Sequence, residues 1–188
     1  MKINFQKFLE VYFLLLYICT MKTEEIRQQF VQAWGVLGTS WGISRSMAQV
    51  HALLLLNKGE MSTEEVMEEL KLSRGNVNMV LRDLIGWNLI YKQTKPGDRK
   101  EYFIAEHDIW QIAVRVVTER KKREIMPAKQ TVKMLMNNTS DAKDADQLHV
   151  KHMLSELNSF IEQMDTLSEL LLKAEKNALL KNVLKLMS

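Results

Sequence analysis

The reading of this chain turns on residues 61–105, Met61 to Ala105: MSTEEVMEELKLSRGNVNMVLRDLIGWNLIYKQTKPGDRKEYFIA. Ser62 followed three positions later by Glu65 is a capping box, so a helix opens there. Val66 and Leu70 continue it at helical spacing. Lys71-Leu72 leaves room only for a turn. Ser73 is a second N-cap, and Val77, Val80, Leu81 and Leu84 line one side of the helix it starts. The other side carries Arg74, Asn76, Asn78 and Arg82. After a break at Gly86 and Asn88, Leu89-Ile90-Tyr91 and Tyr102-Phe103-Ile104 read as short strands. Between them Lys95-Pro96-Gly97-Asp98-Arg99-Lys100 is a turn loaded with positive charge. Met61 begins a short extended segment, a third small strand. Helix, turn, helix and basic hairpin in this order predict a winged helix-turn-helix, which sets its second helix in the DNA major groove and its wing along the backbone.

Charge is distributed to match. The 188 residues carry a formal net charge of only +3. Residues 71–129 hold 13 basic and 7 acidic side chains, whereas 1–70 hold 6 and 8, and 131–188 hold 7 and 8. The excess is focused where the winged pattern predicts a DNA face. Apolar content of 46% suffices for a core, and 7 glycines with 2 prolines favour long helices over a many-turned β fold. The single cysteine, Cys19, excludes an intramolecular disulfide framework and fits a reducing cytoplasm.

Upstream, Val11 to Cys19 is an apolar run too short to span a bilayer, with no signal-peptide cleavage site after it. Residues 1–20 are therefore set apart as an extension: the leading expectation is that translation begins at Met21, and the rival is an extra helix that packs on the dimer. Thr23 is placed as the cap of a helix through Ile26, Phe30, Trp34 and Leu37, weakened at its end by Gly35 and Gly38. Gly38-Thr39-Ser40-Trp41-Gly42 matches Gly-x-Ser-x-Gly, but a nucleophile elbow needs a strand before the serine, and here a helix precedes it. Ser44 caps a further helix from Arg45 to about Asn57, with Gly59 assigned the left-handed position after it.

Downstream, Asp108 caps a helix through Ile112 and Val116 to Glu119, which Pro127 bends or ends. Residues 137–146 are polar and turn-rich, a linker. Beyond them Val150, Leu154, Leu157, Ile161, Met164, Leu167 and Leu171 recur by threes and fours, the seam of a helix that packs on another. A second helix is expected through Ala178 and Val183. The organisation expected is a mainly α protein with a small β-hairpin: extension 1–20, winged helix-turn-helix domain 21–130, and helical dimerisation region 131–188. The seam, with the helix around Phe30 and Trp34, is expected to hold a homodimer.

Five short motifs also carry a family resemblance: Trp41-Gly42-Ile43-Ser44-Arg45, Ala52 to Leu56, Leu72 to Val77, Trp87-Asn88-Leu89-Ile90, and Pro96-Gly97-Asp98-Arg99-Lys100. Their order and spacing, from about Trp34 to Lys129, resemble GbsR-type regulators, a branch of the MarR-like winged-helix transcription factors. The resemblance implies a dimeric bacterial or archaeal DNA-binding repressor or activator. Some of that family sense choline-like quaternary ammonium compounds, which aromatic side chains hold by cation–π attraction. An effector is therefore expected near Trp41 or Trp110, between the winged domain and the helical region.

The expected partner is double-stranded DNA, met by Ser73, Arg74, Gly75, Asn76, Asn78 and Arg82 on the second helix and by Lys95, Arg99 and Lys100 on the wing. Asn pairs with adenine and Arg with guanine in the major groove. The competing reading is a winged helix used only for protein–protein contact; such a face would expose apolar anchors rather than Arg and Asn. His149 and His152, three apart, lack a further ligand, so no metal or other cofactor is expected. No catalytic constellation and no phosphate-binding loop is present, so an enzyme is not expected. A cytoplasmic protein without membrane attachment fits all of this.

Overall fold

The protein is described here by a computed structural model covering residues 5–139 and 144–176, with side chains over 23–139 and 144–173. It divides into two compact units, one ending at Glu106 and one beginning at His107. The division thus falls ahead of the 130/131 boundary expected from sequence.

In the first unit, α1 (Phe5–Ser40) is one continuous helix. Thr23 lies inside it and caps nothing, because a capping side chain acts only where the backbone leaves the helix. Gly35 and Gly38 do not weaken its end. They let α2 (Arg45–Leu56) come close: a Cβ on Gly38 would stand 2.4 Å from the Cβ of Ala48, and one on Gly35 2.7 Å from Gln49 Cγ. Ser44 caps α2 by accepting from the Met47 N–H. The helix leaves through Asn57 in extended conformation, and the Asn57 side chain donates to the Gly59 carbonyl. The left-handed position assigned to Gly59 is absent; among the described residues positive φ occurs at Gly42, Lys71, Asn88 and Gly97.

The central stretch folds as its local signals dictate. Ser62 and Glu65 form the reciprocal capping box of α3 (Thr63–Leu70), with Ser62 N–H donating to Glu65 at 2.6 Å. Lys71 turns the chain at φ 53°, and Ser73 caps α4 (Arg74–Gly86). Asn88, at φ 56°, starts the exit into β2 (Ile90–Thr94). β3 (Glu101–Ala105) is the middle strand of a three-stranded antiparallel sheet. Ile90 pairs Ala105 on one side, and Met61 of β1 (Met61–Ser62) pairs Phe103 on the other. The core is contiguous: Val50 and Leu54 from α2, Val66 from α3, Val77, Val80, Leu81 and Leu84 from α4, Ile90 and Phe103 from the sheet, all nearly fully buried.

The second unit is helical. Asp108 caps α5 (Ile109–Arg120) by accepting from the backbone N–H of Trp110 and Gln111. The chain then widens into a π turn, Lys121–Ile125, and continues as α6 (Met126–Asn138). The α5 segment ends at Arg120, ahead of Pro127, which occupies the opening turn of α6, where a missing N–H costs least. The expected linker is shorter than residues 137–146: Asn137 and Asn138 are helical, and α7 (Ala145–Lys176) begins at Ala145. Residues 140–143 and the helix expected through Ala178 and Val183 lie outside the described residues.

Asp165 of α7 sits between two ammonium groups, Lys121 and Lys129, each 2.7 Å from one of its oxygens. These cations hold its carboxyl below the usual range, and it raises theirs in turn. The π turn brings the two lysines together. Eight residues advance an α-helix by about 800°, an 80° mismatch, whereas one extra residue absorbed in a π turn leaves about 20°.

Candidate DNA-reading surface

Two elements build the surface. The inward side of α4 is fixed by Val77, Val80, Leu81 and Leu84, so its orientation in the domain is set by burial. Ser73 Oγ accepts from the Asn76 N–H at 3.4 Å, leaving the other first-turn amides facing out from the positive end of the helix dipole. Arg74, the first helical residue, is exposed and donates to Glu64 of α3 at 2.6 Å. Glu64 is held below the ordinary carboxyl range first by its own backbone N–H and then by Arg74. A guanidinium has two donor edges, so Glu64 orients one while the other stays available. A Cβ on Gly75 would meet only open space. Asn76 and Asn78 flank the outward stripe, half-buried. Arg82 Nε donates to the Asn78 carbonyl at 3.1 Å, which lays its side chain back along α4.

The second element is the β2–β3 hairpin. Gly97, at φ +80°, makes its tip, and Asp98 ties the turn by accepting from the Lys100 N–H and the Tyr102 hydroxyl. Lys95 is docked against the domain: its ammonium lies 2.7 Å from Glu60 and 4.1 Å from the centre of the Tyr102 ring. Glu60 raises its pKa and is itself lowered. Arg99 and Lys100 are exposed and have no ion pair among the described residues. An open groove of about 440 Å³ runs beside α4 and the hairpin, lined by Asn78, Arg82, Lys92 and Phe103 among others. Lys92 is paired there with Glu101 at 2.5 Å.

Several of these features were not read from the sequence. The Glu60–Lys95 and Glu64–Arg74 pairs join residues 35 and 10 apart, which only the folded chain juxtaposes. Met79 is 52% exposed on α4, and its position four residues after Gly75 is the sequence signal that places it on the outward face.

Of the residues expected at an effector site, Trp41 belongs to the first unit and Trp110 to the second. Trp41 is half exposed and meets Trp34 edge-on at 6.0 Å, while Trp34 stacks on Phe30. Trp110 is half-buried, and its indole N–H lacks a hydrogen-bond partner. A cavity of about 560 Å³ lies elsewhere in the first unit, between Glu24, Arg27 and Gln28 of α1 and Glu69 to Lys71 at the end of α3. Ser40 is the last residue of α1, not the tip of a strand, and its hydroxyl faces the Val36 carbonyl at 3.4 Å. His149 and His152 stand exposed on α7, and no metal-holding cluster occurs among the described residues.

A capped helix, its inward face locked in the core and its outward face polar apart from Met79, beside a basic hairpin is the architecture of a winged helix. The comparisons agree. The MarR family model matches residues 41–101. The repressor OpcR of Bacillus subtilis (strain 168) is 24% identical over 138 residues, covering 70% of this chain and 75% of its own. The repressor GbsR of the same organism is 27% identical over 85 residues, 45% of this chain and 47% of its own. A crystal structure described as a transcriptional regulator shares the fold, with a TM-score of 0.62 at 19% identity over 80% of this chain and 99% of that one. The fold is that of a winged helix, residues 41–101 match the MarR family model, and the chain is similar to the repressors OpcR and GbsR.

Proposed function

We propose that the protein is a cytoplasmic, sequence-specific DNA-binding repressor that works as a homodimer under the control of a small molecule. The observation that carries DNA reading is α4: a helix capped by Ser73 whose first turns present Arg74, Gly75, Asn76 and Asn78 beside a hairpin bearing Arg99 and Lys100. Asn76 and Asn78 are suited to adenine, Arg74 to guanine, and Arg82, Lys95, Arg99 and Lys100 to phosphates. The repressor names of OpcR and GbsR support the sign of regulation. Among the described residues no helix is long and apolar enough to cross a membrane.

Dimerisation is supported by α7. Val150, Met153, Leu157, Phe160, Met164 and Leu167 alternate by threes and fours along its surface, all substantially exposed. The next stripe, Leu154, Asn158, Ile161, Asp165 and Ser168, is the one turned into the unit. A wholly apolar exposed stripe at coiled-coil spacing calls for a second helix. For the effector, the half-exposed indole of Trp41 and the unpartnered N–H of Trp110 remain the residues of interest, with tryptophan fluorescence across a metabolite panel as the assay.

Titrating selected and random duplexes at several salt concentrations tests DNA reading. Asn76→Ala is expected to cost about 1–3 kcal/mol on a selected duplex and to relax preference at particular base pairs. Arg99→Ala is expected to weaken all sequences alike and flatten the salt slope by about one unit per half-site. Wild-type affinity and slope in both variants would remove the reading, leaving a protein-contact role.

A further inference from the structure

The outward midline of α4 runs through residues 75, 79, 82 and 86, which lie within about 60° of one another on a helix of 3.6 residues per turn. Glycines stand at both ends of that line, Gly75 and Gly86, and a Cβ at either would meet open space. Arg82 is laid back onto the Asn78 carbonyl. Met79 stands between them, 52% exposed, the one large apolar side chain of α4 that is uncovered. A lone exposed methionine is ordinary on a protein surface. This one occupies the middle of the face turned away from the core, five residues and about 7–8 Å along the axis from Arg74. That is the second turn, where a helix entering the groove by its N-terminus still meets base edges.

We infer that Met79 is a specificity-determining residue that packs on a thymine 5-methyl group in the major groove; this rests on the reading of α4 as the groove-entering helix. The phosphates are charged, and guanine, cytosine and adenine present donors or acceptors in that groove. Thymine alone presents an apolar group there. A flexible thioether follows such a small apolar target without needing one fixed geometry. Gly75, one turn earlier on the same line, keeps the backbone free to approach closely enough for the contact.

The test uses the full-length protein and duplexes that it selects from a random-sequence library. Each thymine of a selected half-site is replaced in turn by deoxyuridine, which removes only the methyl group. At one thymine per half-site the wild type is expected to lose about fourfold in affinity, the worth of one buried methyl group. Met79→Ala is expected to bind the thymine duplex about fourfold less tightly per half-site and to make no distinction between thymine and uracil at that position. Its helical circular dichroism should match the wild type, since the side chain is exposed. Selective binding with no methyl-sensitive thymine overturns the inference. So does a Met79→Ala protein that keeps the wild-type thymine-to-uracil ratio. Failure to select any sequence removes the DNA-reading proposal itself and this inference with it.

Discussion

His51 sits on α2 between Val50 and Ala52, both fully buried, and its Nε2 has no hydrogen-bond partner. Burial pushes its pKa from 6.5 down to about 4. The folded protein therefore holds this imidazole neutral while the unfolded chain protonates it near pH 6.5. The sign follows: stability from this group is complete above about pH 6.5, falls as pH drops, and stops falling below about pH 4. The loss amounts to roughly 3 kcal/mol at its full extent. The paired carboxylates Glu60, Glu64, Glu65 and Asp98, all lowered, lose their contribution only as they protonate, below their ordinary range. His51→Leu should thus flatten the urea-denaturation profile between pH 6.5 and 4.5 and leave the steeper acid limb in place. A variant whose midpoint falls as much as the wild type's over that interval would show that His51 does not set this dependence. The same scale separates the cations of the DNA face. Arg74 and Lys95 are held by Glu64 and Glu60, whereas Arg99 and Lys100 have no such partner, so they are not equivalent donors to a phosphate.

At the level of elements, the packing of α1 on α2 depends on two glycines. A Cβ on Gly38 meets Ala48 at its own Cβ, an atom that cannot swing away. Gly38→Ala should therefore force the helices apart and destabilise the first unit by about 1–3 kcal/mol, although alanine is the better helix former. Thermal denaturation checks the sign, and an unchanged or raised Tm would refute the close approach. This role was not visible in the sequence, where Gly35 and Gly38 read as helix weakeners. Propensity is local, but the reason for these glycines lies on α2, ten or more residues away. The elements that were legible are those with local causes. Ser62 and Glu65, Ser73, Ser44 and Asp108 each cap the helix assigned to them, because donor and acceptor lie within a few residues. Thr23 had the same chemistry but lies inside a longer helix. Gly59 looked like a helix terminator, yet Asn57 had already left the helix in extended conformation. The π turn at Lys121–Ile125 carries no local signature beyond Pro127 at its end. What it does for the fold is not local: it sets Lys121 and Lys129 on one side, where both meet Asp165, some 40 residues further on.

For the whole molecule, the second unit presents an imbalance. Its buried apolar residues reduce, among the described ones, to Val114, while its interior on α7 includes Asp165 and Ser168. Meanwhile α7, about 48 Å long, exposes Leu157 by 48% and Phe160 by 59%. The sequence pattern merged two stripes into one seam: Leu154, Ile161 and Leu171 are half-buried, whereas Val150, Leu157, Met164 and Leu167 face out. Periodicity cannot separate stripes that differ by one position; burial does. The outward stripe is where a second copy would pack, and two-fold symmetry would then present two wings to a palindromic site. Replacing Leu157 and Phe160 together by glutamate places charge on that stripe without touching the inward one. The expected result is a folded monomer in sedimentation, with full helical circular dichroism. Affinity for a selected palindromic duplex should fall roughly a hundredfold, because the second half-site no longer benefits from the effective concentration of a tethered partner. Affinity for a single half-site should be unchanged, which separates loss of dimerisation from damage to α4 or the wing. A variant that still sediments as a dimer would move the interface off α7, and the exposed Ile26 and Leu37 of α1 would become the next surface to mutate.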